Sequence, residues 1–153
     1  MSAADEPAVV VRYRSNLVDT AGNPAHAATF IRRGLIVLDP ELKHNPAEHA
    51  RILAHERAHF VWVRLGNPRR LAWERHLREE VAARARGEAG WSAEWRKRGL
   101  KPSDAAGRTR RWREYCCESF CDTAAWMETG VESEMTLAKK WRAGRKAWFA
   151  RHI

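Results

Sequence analysis

The chain has 153 residues, 44% of them hydrophobic, and 28 Lys and Arg against 19 Asp and Glu, a formal net charge of +9. That length suits one domain, residues 1–153, able to bury a core without disulfide staples, and the apolar fraction excludes a disordered chain. The positive excess favours nucleic acid, anionic membrane or acidic protein as a partner but does not choose among them.

Residues 1–8 read as a loose tail. Residues 1–7 are small and acidic, without the basic and apolar regions of a signal peptide, and no run approaches the ~20 apolar residues of a membrane span. The three cysteines, Cys116, Cys117 and Cys121, are odd in number and close together, which argues against a disulfide framework and suits a reducing compartment. A cytoplasmic location and no membrane partner are therefore expected.

Residues 9–13 are β-branched and aromatic and predict a strand. The stretch 19–24 is turn-forming. Thr29-Phe30-Ile31 and Leu35-Ile36-Val37-Leu38 flank Arg32-Arg33-Gly34 and predict a hairpin or a pair of short strands. Asn45 as N-cap and Pro46 in the first turn open a helix over 47–65, stopped by Gly66-Asn67-Pro68. A charged helix over 69–86 has Leu71, Leu77 and Val81 as inward positions. A short helix follows at 91–98, then a loop at 99–107. A long helix spans 108–128 and ends at Gly130. The basic C-terminal segment 134–153 carries a last helix over 134–151. Strands first and helices afterwards predict an α+β fold.

His55-Glu56-Arg57-Ala58-His59 is an HExxH motif inside the 47–65 helix. Residues four apart share one helix face, so both imidazoles can meet one zinc ion, and Glu56 can reach its bound water. Zinc lowers the pKa of that water toward ~7. Glu56 then accepts its proton and delivers it to the leaving amine, which is peptide-bond hydrolysis.

A catalytic zinc usually takes a third protein ligand. Glu114, Glu118 and Asp122 recur at steps of four on the 108–128 helix, and three carboxylates on one partly apolar face call for a cation. Periodicity does not choose between Glu114 and Glu118. Asp122, one turn beyond Glu118, is placed to orient a ligating histidine. Cys121 and Ala125 are small and permit close approach of the HExxH helix. Glu114 has Arg110, Arg111 and Arg113 beside it and suits the site rim, as a substrate contact or salt-bridge partner. Tyr115 is a candidate for stabilising an oxyanion.

The HExxH helix and the run Glu118-Ser119-Phe120-Cys121-Asp122-Thr123-Ala124-Ala125 together resemble the ImmA/IrrE-type minimal metallopeptidases of the gluzincin class. The resemblance covers residues 30–65 and 110–127. It implies a zincin-like fold with a small N-terminal sheet on the HExxH helix, zinc as cofactor, Glu118 as third ligand and Asp122 behind it. It also implies a cytoplasmic regulatory protein, such as a DNA-binding transcriptional regulator, as substrate. Ala124 stands where the family often has Phe, its Leu-Leu-Met-Pro ending is absent, and residues 66–107 read as a helical insertion.

The remaining residues have plainer readings. His26, His44, His49, His76 and His152 read as surface histidines. Cys117 and Cys121, four apart, could bind metal but read better as small buried hydrophobes. The helical spacing of Trp91 with Trp95 and of Trp141 with Trp148 favours core packing over base stacking. Lys139, Lys140, Arg142 and Arg145 form the candidate polyanion-docking patch. The leading functional expectation is a zinc metallopeptidase. The alternatives are a basic nucleic-acid-associated protein and a protein-interaction module on a zincin scaffold without peptidase activity.

Overall fold

The apolar run Leu35-Ile36-Val37-Leu38 becomes the central strand of a small sheet in the computed structural model, which describes residues 8–153. Apart from residue 8, the expected N-terminal tail lies outside the described residues. The order is β1 (Val10–Tyr13), β3 (Leu35–Leu38), β2 (Ala27–Phe30), with β1 parallel and β2 antiparallel to β3. All four β3 side chains are buried, as a strand covered on both faces requires. A 3₁₀ turn, Ile31–Arg33, joins β2 to β3, and Gly34 follows it at φ +58°, a left-handed conformation that glycine adopts without a Cβ clash. The expected hairpin is thus present, with β2 at the sheet edge.

Six helices follow: α1 (Pro46–Arg64), α2 (Asn67–Ala82), α3 (Trp91–Arg98), α4 (Pro102–Gly107), α5 (Arg110–Thr129) and α6 (Lys139–His152). The architecture is α+β and mostly helical. Asn45 caps α1 by accepting from Glu48 N at 3.3 Å, and Gly130 ends α5 at φ +67°.

Helix α1 lies between two apolar clusters. Phe60 faces Ile36, Leu38 and Leu42 on the sheet side. Ala58 and Trp62 join Trp73, Leu77, Trp112, Phe120, Trp148 and Phe149 on the other. Ala54 and Ala58 on α1 and Cys121 and Ala125 on α5 are small and buried, which lets the two helices run close together.

Several elements differ from expectation. The 99–107 loop contains α4, capped by the Asp104 carboxylate, which accepts from Lys101 N at 2.6 Å. The last helix starts at Lys139 rather than 134. Before it, Thr136 N and Leu137 N both donate to Glu88 O, and the Leu137 side chain is fully buried, so the chain there is held in a non-helical connection. On α2, Leu77 is buried, but Leu71 and Val81 are exposed and Trp73 fills the inward position, its indole N–H donating to Cys116 O at 3.0 Å.

Arg145 of α6 is also inside. Its guanidinium donates to Glu80 at 3.0 Å, to Glu88 at 2.6 Å and to Thr123 at 3.1 Å, while Lys97 stands 3.6 Å from Glu88. Two cations and two carboxylates balance, and together they tie α2, the 83–90 loop, α3, α5 and α6 at one buried point.

Candidate metal centre

The two histidines of α1 are one turn apart on the side that meets α5. His55 is buried and His59 half-buried. His55 Nε2 lies 3.1 Å from Glu118 Oε2, and His59 Nε2 lies 3.7 Å from Glu118 Oε1. Ligands at about 2.0–2.1 Å from a tetrahedral zinc stand roughly 3.3 Å from one another. Each pair is near that value, but the histidines meet different Glu118 oxygens, and His55, His59 and Glu118 are not among the triads whose donor atoms lie within 4.8 Å of one another. Both histidines thus turn their Nε2 atoms to one carboxylate.

Each imidazole is held through its other nitrogen. His55 Nδ1 donates to Asp122 Oδ1 at 2.7 Å, and His59 Nδ1 is 3.6 Å from the Cys117 sulfur. Burial opposes a charge on His55, but its hydrogen bonds to Asp122 and Glu118 prevail and hold its pKa well above the usual imidazole range. Burial would likewise raise the Glu118 pKa, yet His55 and His59 bring it down to about 2.

The 66–107 segment completes this arrangement. Ser92 Oγ donates to Glu118 Oε2 at 2.6 Å, and Ala93 N donates to Asp122 Oδ2 at 2.9 Å. Gly90, just before α3, leaves no room for a side chain, since a Cβ there would lie 2.5 Å from the Asp122 carboxyl carbon. Each acidic side chain of the site is therefore gripped from α1 on one side and from α3 on the other. On the sheet side, Thr29 of β2 donates its hydroxyl to Glu56 Oε2.

Sequence spacing reaches neither Ser92, Ala93 nor Thr29, because each meets the site across more than twenty residues of chain. The available signals are weak: a hydroxyl in the otherwise apolar strand Ala27–Phe30, and a glycine directly before a short helix.

Other expected site residues are placed elsewhere. Tyr115 is fully buried, and its hydroxyl donates to Glu88 in the Arg145 cluster, so it does not serve as an oxyanion donor. Glu114 is exposed and accepts from Arg110 Nε at 2.7 Å, one turn from Glu118. Arg145 is fully buried and Arg142 is half-buried, donating to Leu137 O at 2.8 Å, so only Lys139 and Lys140 of the proposed patch are freely exposed. His26 and His44 are exposed. His49 keeps a surface position, hydrogen-bonded to Tyr13 at 2.8 Å, whereas His76 and His152 are part-buried and stacked on Trp73 and Trp148, away from the surface reading.

The cysteines sit closer to the centre than a purely apolar role requires. Donor atoms of His55, His59 and Cys121 lie within 4.8 Å of one another, as do those of His59, Cys117 and Glu118. Burial pushes the Cys121 thiol pKa well up. Cys117 is brought down to about 6 by its hydrogen bond with Cys121, against the opposing effect of burial and with help from His59.

Compared with known proteins, the chain matches no family model, no curated protein and no solved structure.

Proposed function

We propose that the protein is a zinc-dependent peptidase of the zincin type, with His55, His59 and Glu118 as ligands and Glu56 as general base. The observation that carries this reading is the convergence of the His55 and His59 Nε2 atoms on the Glu118 carboxylate, at 3.1 and 3.7 Å, next to the Glu of the same HExxH motif. Two imidazoles and a carboxylate are a donor set that zinc takes in catalytic sites. When bound, zinc supplies Lewis acidity, which makes water nucleophilic near neutral pH and polarises a peptide carbonyl.

The chain's own residues divide the remaining work. Asp122 fixes the tautomer and direction of His55 by accepting from Nδ1. Ser92 steadies Glu118. Thr29 donates to Glu56 Oε2 and fixes that carboxylate, which in this reading takes a proton from the attacking water and returns it to the leaving amine. The resemblance to ImmA/IrrE-type peptidases supports a cytoplasmic regulatory protein as substrate.

The test is a zinc-reconstituted protein and its Glu56→Gln variant. The wild type is expected to hold one zinc and to cleave a peptide bond. Glu56→Gln keeps the zinc and loses roughly 10²–10⁴-fold in turnover, since the amide cannot accept the proton. Retained turnover in Glu56→Gln, or no zinc bound by the wild type, overturns the reading.

A further inference from the structure

A cavity of about 300 Å³ opens directly beside the candidate metal centre. Its lining includes His55 and Asp122, Arg51 and Glu134, His26, and Trp91 and Trp95 of α3. The chain has eight tryptophans, and these two stand out in exposure, at 50% and 49%. Trp62, Trp73, Trp112, Trp126 and Trp148 are all buried. The i, i+4 spacing of Trp91 and Trp95 suggested core packing, but here it places both rings on one open helix face.

Beside the exposed imidazole of His26, the charged side chains around the cavity have partners. Arg51 pairs with Glu48 at 2.8 Å and with Glu134 at 3.1 Å, and Glu134 also accepts from Trp91 N at 2.9 Å. Asp122 is saturated by His55 Nδ1 and Ala93 N. The large exposed apolar side chains in this lining are the two indoles. A cationic guest is disfavoured, because Arg96 already lies over the Trp95 ring at 4.2 Å and Arg98 over the Trp91 ring at 5.2 Å. An acidic guest would compete with Glu134 for Arg51. Aromatic walls with satisfied polar groups at the rim favour a neutral, flat, apolar side chain.

We infer that Trp91 and Trp95 form the specificity pocket of the enzyme and receive a bulky aromatic side chain of the substrate next to the scissile bond. This rests on the peptidase reading above, since it is adjacency to His55 that makes the cavity a substrate pocket. The 66–107 segment then supports the metal ligands through Ser92 and Ala93 and selects the substrate through the outer face of the same helix.

The test uses the zinc-loaded full chain and a panel of short peptide hydroxamates that differ only in the side chain next to the metal-binding group: Phe, Ala, Glu or Lys. Affinities are measured by titration calorimetry. The Phe probe is expected to bind at least about tenfold more tightly than the Ala probe, in line with what a hydrophobic pocket discriminates. Trp91→Ala and Trp95→Ala each shrink that ratio, and Trp95→Phe restores most of it. A ratio near one in the wild type, a ratio unchanged in both alanine variants, or tightest binding of the Glu or Lys probe overturns the inference. The Ala probe separates the two levels of the argument. If it binds with no Phe preference, only the pocket fails. If no probe binds or no zinc is held, the peptidase reading fails and takes the pocket with it.

Discussion

At His55 the two ring nitrogens have different tasks, and this ranks the three carboxylates of α5. Glu118 faces Nε2, Asp122 receives Nδ1–H, and Glu114 reaches neither, being paired with Arg110 at the surface. Under a competing chelator, Glu118→Ala is expected to lose most zinc affinity and Asp122→Ala about 10–100-fold, while Glu114→Ala stays near wild type. If Glu114→Ala loses as much as Glu118→Ala, the assignment is one helical turn out. A second residue-scale prediction concerns Glu88. Burial raises its pKa, but Arg145 and Lys97 overcome that and hold it at about 2, below the ordinary 4.5. A depressed carboxyl stabilises the fold above pH ~4.5, and that contribution is lost as pH falls toward about 2. Denaturant unfolding is expected to show the midpoint dropping through this window. In Arg145→Met the acid dependence shrinks, because burial then works against the charged form. The same variant leaves carboxylates buried without their cation and is expected to cost about 3–5 kcal/mol at neutral pH. A neutral-pH loss under about 1 kcal/mol would contradict the buried-cluster account.

Helix α3 is the element that sequence reading undervalued. Its start and end are legible, because Gly90 and Gly99 bracket an eight-residue run with basic residues in the last turn. Its position is not legible, since nothing local says that its first turn meets α5. Gly90→Ala tests the contact. A Cβ there would stand 2.5–2.7 Å from the Asp122 carboxylate atoms, so either α3 or Asp122 must shift. The expected cost is about 1–3 kcal/mol in stability from overpacking. Zinc affinity is expected to fall by roughly 10-fold or more, because Asp122 no longer orients His55. Lower stability with unchanged zinc affinity would reduce α3 to a packing role. Helix α6 has the converse history. Its basic composition suggests a solvated docking helix, yet Arg145 points inward and Trp148 and Phe149 pack in the core.

Over the whole molecule the +9 charge is spread across many arginines, a large share of them engaged within the protein. Among the described residues no helix is long and apolar enough to cross a membrane. Exposed Lys139 and Lys140 at the start of α6 remain candidates for polyanion contact. Binding to duplex DNA or heparin is expected to weaken steeply with salt, and Lys139→Gln with Lys140→Gln is expected to lower the log–log salt slope by about 1 per lysine. An unchanged slope in the double variant, or no binding at low salt, removes this surface from consideration.

Local patterns were decided by the sequence alone. A capped helix carries His55, Glu56 and His59 on adjoining faces, a second carries Glu114, Glu118 and Asp122 in one row, and an apolar run forms a buried strand. These follow from backbone periodicity and capping, which act over a few residues. Tertiary structure decided what each face meets. It set Glu118 rather than Glu114 against the histidines, turned Tyr115 and Arg145 into a buried ion cluster, and brought Ser92, Ala93 and Thr29 to the site. It also left Trp91 and Trp95 open beside His55. Periodicity tells which side chains share a face, but whether that face meets a metal site, an ion cluster or water depends on the packing of elements far apart in the chain.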